Sequence, residues 1–287
     1  MSAEECLRLS APAKINLFLR ITGRRPDGYH TLVTLMQKLA LYDELCLERI
    51  GQGIVLHCPD GKSPENRNNL VYRAAELFFS QLNIRGITPP CGVRITLHKH
   101  IPVAAGLGGG SSDAAATLYG LNQLTKAGLA AAELAALGLQ LGADVPFFVH
   151  HDSAALAQGI GEELSPAEAL QGNIVLLVNP GFAVSTRWVY QNLNLTSIDL
   201  EDNLQSSRDR CNDADFVNDL ERVTLAQYPV IEELKKEVLQ QGAAVALMSG
   251  SGPTVFGLFT DQARASKALR YFQPRFKDSY LVEPLQG

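Results

Sequence analysis

From Pro102 to Ala116 the chain reads PVAAGLGGGSSDAAA, with glycine at positions 106, 108, 109 and 110. A loop of this kind lets several backbone N–H groups converge on one small volume, because no Cβ blocks the approach or the positive φ angles it needs. Such convergence suits phosphate oxygens. The segment that follows, Ser111-Ser112-Asp113 and then AAATLYGLNQL, opens a helix whose N-terminus aims about half a positive charge at the same place. Ser111 and Ser112 add hydroxyls, one of them available as an N-cap. Glycine content alone would serve a close-packed structural turn as readily; the two serines at a helix start and the leading Pro102 weigh toward phosphate. A Walker A loop is excluded because no lysine follows the glycines, and a dinucleotide fingerprint fails at its third position, which is Ser111.

The elements that must position this loop can be traced on either side. Ile15, Leu17 and Leu19 alternate with Lys14, Asn16 and Arg20, a strand with a polar face. Arg25-Pro26-Asp27-Gly28 makes a turn, and LVTLMQKLALYDELCLERI resumes strand-like sequence broken by the Asp43-Glu44 pair. Arg67-Asn68-Asn69-Leu70 caps a helix, NLVYRAAELFFSQL, and GVRITLHKHIPV is a strand running directly into the glycines. AGLAAAELAALGLQLGADVPFFV reads as a helix followed by the start of a strand. In the second half, NIVLLVNPG is a short buried strand, and Thr186 to Asp219 is polar and loop-rich. YPVIEELKKEVLQQGAA is a helix closed by Gly242. AVALMSGSGPTVFGLF gives strand, glycine hairpin and strand, and DQARASKALRYF a last helix. This mixed order predicts an α+β fold with two domains, 1–160 and 161–287.

Composition narrows the function. With 46% hydrophobic and 19% charged residues the 287-residue chain can bury a proper core. A net charge of -5 and a pI near 5.7 argue against a nucleic-acid partner. The five cysteines are scattered and never form a C-x-x-C pair, so they read as ordinary thiols of a reducing compartment. The first dozen residues, MSAEECLRLSAP, contain no apolar core of a targeting signal. These features predict a cytoplasmic protein with no membrane or nucleic-acid partner.

The blocks Pro102-x-x-x-Gly106-Leu107-Gly108-Gly109-Gly110-Ser111-Ser112-Asp113-Ala114-Ala115, Ala11-Pro12-Ala13-Lys14-Ile15-Asn16-Leu17 and Ser249-Gly250-Ser251-Gly252-Pro253-Thr254-Val255-Phe256 together resemble the GHMP kinases, named for galactokinase, homoserine, mevalonate and phosphomevalonate kinases. Three ordered motifs over nearly the whole chain carry the resemblance. RPDGYH at 25–30, GADVPFF at 142–148 and Gly159-x-Gly161-Glu162 are similar to the branch that phosphorylates a methylerythritol carried on cytidine diphosphate, in non-mevalonate isoprenoid precursor synthesis. The resemblance implies a ribosomal-S5-like ATP-binding domain followed by a ferredoxin-like α/β sandwich domain, with ATP and Mg2+ as cofactors. It also implies a small-molecule substrate and a monomer or weak homodimer. Another small-alcohol kinase of the family, for homoserine or mevalonate, and a non-catalytic nucleotide-binding regulator are the alternatives.

Phosphoryl transfer asks a protein mainly for positioning and charge stabilisation. The resemblance implies that Pro102, Val103, Ala104, Ala105, Gly106, Leu107, Gly108, Gly109, Gly110, Ser111 and Ser112 hold the phosphates, with Asn69 and Lys99 on the adenosine side. It makes Lys14 and Asp144 catalytic, Lys14 toward the γ-phosphate or the attacking hydroxyl and Asp144 as the base. Taken alone, Lys14 could be a solvated strand lysine and Asp144 a turn cap. Asn16 shares the face of Lys14 and is expected on the substrate. Tyr29 and Phe182 follow turns and are expected to stack a cytosine, with His30 at its edge, the alternative being that both rings are core. The histidine pairs 98/100 and 150/151 lack the carboxylates or cysteines of a metal set and are expected to be structural. No protein metal site is evident for the Mg2+, though Ser112 is a candidate ligand.

Overall fold

Alternating residues form a long strand, β1 (Leu7–Arg24), and after the turn at Asp27 and Gly28 a second, β2 (His30–Ile50). The computed structural model describes residues 6–195, 198 and 216–286, so the first five residues and most of the polar stretch beyond Asn192 lie outside the described residues. Two compact units divide the chain, which passes between them after Ala13, Ala40, Val103, Leu107 and His151. Both β1 and β2 therefore contribute a segment to each unit.

Unit 1 holds the described residues up to Ala13, together with Leu41–Val103 and Gly108–His151. Here β3 (Ile54–His57) runs parallel to β4 (Gly92–His98), and β4 pairs antiparallel with β2 from Glu44 opposite His98 to Ile50 opposite Gly92. Helix α1 (Leu70–Ile84) starts at Asn69, whose side chain accepts from the Val71 amide as an N-cap should. It packs on α2 (Gly109–Thr125), and α3 (Ala131–Leu139) and α4 (Val145–Val149) follow. Phe78, Leu82, Val93, Ile95, Leu118 and Leu121 are among the residues of the core.

Three expectations change in this unit. The strand β2 runs unbroken through Asp43 and Glu44; Asp43 is wholly buried, and it can be, because its carboxylate accepts the amides of His100 and Ile101. The DVPFFV segment is the short helix α4, not a strand, with Pro146 in the first turn, where a missing N–H costs nothing. Cys6 and Cys46 form a disulfide, so not all the cysteines are thiols; Cys58 and Cys91 are free.

Unit 2 holds Lys14–Ala40, Ala104–Leu107 and the described residues from Asp152 on. In it β2 pairs antiparallel with β5 (Ala154–Gln158), and β5 with β6 (Glu163–Pro166). The strands β7 (Ile174–Val178), β8 (Val245–Met248), β9 (Val255–Phe259) and β10 (Ser279–Val282) make an antiparallel sheet in the order β10, β7, β9, β8. Among the described residues the helices of this unit are α5 (Thr186–Gln191), α6 (Glu221–Gln227), α7 (Pro229–Gln240) and α8 (Gln262–Phe272). Val178, Ile231, Leu234, Val238, Phe259 and Phe272 belong to its core. The glycine hairpin between β8 and β9 is present as expected, and α7 ends ahead of Gly242, whose φ is +97°. Among the described residues no helix is long and apolar enough to cross a membrane.

Candidate active site

In unit 2 the first strand buries its polar face as well as its apolar one: Lys14 is 4% exposed and Asn16 3%. The Lys14 ammonium donates to Asn16 Oδ1 at 2.6 Å, and the Asn16 amide donates to Thr34 Oγ1 at 2.8 Å. A buried ammonium needs such partners, since desolvating it uncompensated would cost several kcal/mol. The Lys14 backbone N–H binds the Leu107 carbonyl, which joins β1 to the glycine segment. On the other side, Ser249 Oγ donates to the Gly106 carbonyl at 2.9 Å. A Cβ on Gly250 would stand 3.2 Å from Asn16 Oδ1, 3.4 Å from the Gly106 oxygen and 3.6 Å from the Lys14 ammonium. Lys14, Asn16, Gly106 and the Ser249-Gly250 turn thus meet at one point. Asn218 holds that turn from behind, donating to the carbonyls of Met248 and Gly250. Nothing in the polar stretch around Asn218 marks it in the sequence as such a support.

In unit 1 the last glycines begin α2. Gly108 is the N-cap, with φ +71°, and the helix starts at Gly109, so Ser111 and Ser112 lie inside the first turn and neither is the N-cap. Ser112 Oγ is buried without a hydrogen-bond partner, a state that costs about 1–3 kcal/mol unless something else fills it. An orphaned hydroxyl in the first turn of a glycine-led helix fits a phosphate or a phosphate-bound cation. A Cβ on Gly142 would stand 3.9 Å from Ser111 Oγ, which brings the segment carrying Asp144 beside the start of α2. Asp144 occupies the N-cap position of α4 but does not cap it with its side chain.

The two residues expected on the adenosine side use their side chains within unit 1. Asn69 caps α1, and its amide donates to the Pro64 carbonyl. The Lys99 ammonium lies buried between the carboxylates of Asp43 and Asp113. Burial alone would lower the Lys99 pKa, but Asp113 and Asp43 outweigh it and hold it above the ordinary value. The Asp113 carboxyl is pushed up to about 7, chiefly by burial and further by Asp43, with Lys99 pulling the other way. Sequence reasoning passed over both aspartates; the one signal for Asp43 was a charged residue inside an otherwise apolar strand.

The rings expected at the acceptor lie in unit 2. Tyr29 is 62% exposed beside its turn. His30 is buried and stacks on Tyr190, with ring centroids 5.5 Å apart; burial and Arg24 lower its pKa and favour the neutral ring. Phe182 stacks on Tyr228 at 4.9 Å, and Trp188 meets the edge of Tyr228. Tyr190 and Trp188, both on α5, were not singled out in the sequence, because aromatic residues in a short polar helix read as ordinary packing.

Unit 2 thus carries a buried lysine bound to the glycine loop, and unit 1 a glycine-led helix with an orphaned serine hydroxyl and no Walker lysine. The chain belongs to the GHMP kinases, and within them to the family of the 4-diphosphocytidyl-2-C-methyl-D-erythritol kinases. Residues 69–152 match the GHMP kinases N terminal domain and residues 197–278 the GHMP kinases C terminal domain. A 4-diphosphocytidyl-2-C-methyl-D-erythritol kinase of Syntrophus aciditrophicus (strain SB) is 48% identical over 267 residues, covering 91% of this chain and 93% of the relative. One of Syntrophotalea carbinolica is 47% identical, covering 96% and 98%. A crystal structure of 4-(cytidine 5'-diphospho)-2C-methyl-D-erythritol kinase superposes with a TM-score of 0.80 at 35% identity, over 98% of this chain and all of the other. A homoserine kinase from Cytophaga hutchinsonii, at 21% identity and a TM-score of 0.71, shares the fold.

Proposed function

We propose that this protein transfers the γ-phosphoryl group of ATP to the 2-hydroxyl of 4-diphosphocytidyl-2-C-methyl-D-erythritol, in isoprenoid precursor synthesis. The observation that carries the chemistry is the meeting of the Lys14 ammonium, Asn16 and the Gly106 carbonyl at the Ser249-Gly250 turn. In this reading the glycine segment from Pro102 to Gly110 and the first turn of α2 hold the phosphates, and Lys14 offsets the charge that develops on the transferred group. Asn16 keeps the lysine directed. Asp144 accepts the hydroxyl proton late in the transfer, as suits a weak base in a loose transition state.

Ser112, with its orphaned hydroxyl, is the residue that would hold Mg2+ together with ATP. When bound, the ion would supply positive charge that offsets that of the phosphates. This reading gives Lys99 no nucleotide contact of its own, because its ammonium is held by carboxylates, its backbone N–H donates to Asp60 and its carbonyl accepts from Lys62. A cytoplasmic location and a monomeric or weakly dimeric state belong to the same reading, the first supported by the reaction's need for ATP.

The direct test is phosphate transfer from ATP to the cytidine diphosphate-linked tetrol, run beside the free tetrol phosphate, homoserine and mevalonate. Turnover is expected with the first alone; equal turnover with homoserine or mevalonate would overturn the substrate assignment. Recognition of the cytosine should lie in Tyr29 and Phe182. Stacking a base on a ring is worth about 1–3 kcal/mol, so replacing both by Ala is expected to raise KM for the cytidine substrate by one to two orders of magnitude and leave KM for ATP nearly unchanged. Parallel increases in both constants would count against the stack.

A further inference from the structure

One network of buried charges reaches both ends of the glycine segment. At the leading end, Asp43 Oδ1 accepts the backbone amides of His100 and Ile101, at 2.6 and 2.8 Å, just ahead of Pro102. At the trailing end, Asp113 stands in the first turns of α2, and its Oδ2 accepts from the Lys99 ammonium at 2.7 Å. Lys99 donates to Asp43 as well, so a single ammonium joins the two ends. The network lies directly under the first helical residue: a Cβ on Gly109 would stand 3.2 Å from the Lys99 ammonium and 3.3 Å from Asp43 Oδ2.

The composition of the network is not what stability alone would select. Two carboxylates surround one ammonium, and Asp113 Oδ1 is buried with no hydrogen bond. A buried triad of this kind is often no more stable than an apolar replacement of similar volume, and an unsatisfied buried oxygen adds a further cost. What the arrangement gains is definition. The hydrogen bonds of Asp43 fix where the chain enters the segment, and the bond of Lys99 to Asp113 fixes the rotation of α2, hence the direction of its first amides and of Ser112.

We infer that Asp43, Lys99 and Asp113 are positioning residues for triphosphate binding, acting as a staple that closes the two ends of the glycine segment without touching the nucleotide. The inference rests on the nucleotide half of the proposed function and is independent of the acceptor. Its effect is on geometry, and charge alone predicts the opposite sign. Removing a carboxylate close to an anion site should tighten triphosphate binding on Coulomb grounds; loosening the staple should weaken it.

Asp113→Ala separates the two. It leaves the Lys99–Asp43 pair intact and neutral, and Ala is a good helix residue, so the variant is expected to fold. The measurement is titration calorimetry with a non-hydrolysable ATP analogue. Kd is expected to rise by about tenfold or more, the scale of a small misplacement of a preorganised site, with the binding stoichiometry unchanged. A purely structural role would lower the stoichiometry and the melting temperature and leave the Kd of the folded fraction as it was. An unchanged or tighter Kd in folded Asp113→Ala would overturn the inference. Asp43→Asn, which puts an amide against the Lys99 ammonium, is expected to weaken the analogue in the same direction, and it decides the matter should Asp113→Ala not fold. If the parent binds the analogue but fails to phosphorylate the cytidine substrate, the substrate assignment is wrong and the staple still stands to be judged by these affinities.

Discussion

Asp144→Asn is expected to keep ATP bound and to lose turnover by a factor of about 10² to 10⁴, the usual worth of a positioned general base. The substitution exchanges one oxygen for an NH2 group of nearly the same size, so packing at the head of α4 is preserved. That point matters because Asp144 stands at the N-cap position of α4, where many aspartates earn their place through the helix. Here the side chain makes no cap hydrogen bond, so a helix-capping role predicts no loss from Asn, which is as good a cap as Asp. A role in proton transfer predicts a loss in kcat with little change in KM for ATP. Steady-state kinetics together with a melting curve separate the two, and turnover near that of the parent would remove Asp144 from the mechanism.

Gly106→Ala is expected to lower both stability and nucleotide affinity, whereas the same change at Gly110 leaves the fold intact. The four glycines look alike in the sequence and differ in the structure. Gly106 has φ +78°, and a Cβ there would stand 2.1 Å from the Ser249 carbonyl oxygen, a backbone atom that cannot rotate away. The left-handed conformation alone costs an L-residue about 1–2 kcal/mol, and the collision forces the Ser249 turn away from Lys14 and Asn16. At Gly110 the angle is ordinary, and the nearest atom is a Leu70 methyl at 3.5 Å, a normal contact. Thermal unfolding of the two variants should therefore separate by several degrees, with Gly106→Ala the lower. ATP-analogue affinity of Gly106→Ala should fall by at least about tenfold, given how steeply a preorganised site depends on position. Equal melting temperatures would show that the Ser249 turn yields easily and that this contact does not set the site.

What the sequence disclosed and what it hid have physical reasons. The glycine segment, the helix capped by Asn69, the hairpin between β8 and β9 and the last helix behind Asp261 were legible because each rests on local chemistry: bare backbone, a side chain bonding its own main chain, or simple periodicity. The break suggested at Asp43-Glu44 is absent because a residue 56 positions away, Lys99, meets the buried carboxylate, and no local pattern encodes such a pairing. The same holds for the disulfide between Cys6 and Cys46 and for Asn218 behind the Gly250 turn. Lys14 and Asn16 were placed on one strand face, but a period of two says only which side they share. That the face is buried follows from what lies over it, beginning with the Ser249-Gly250 turn.

The five passages of the chain between its units limit how this enzyme can be dissected. Each unit is assembled from three separated stretches, and its sheet borrows from strands that belong in part to the other. A stop codon ahead of His151 removes stretches from both units, and no single cut separates one unit whole from the other. Shuffling by swapping one contiguous gene segment for another, the simplest way of giving a catalytic core a new specificity module, is closed to this architecture. New acceptors have to be reached by replacing residues in place within an otherwise undivided chain.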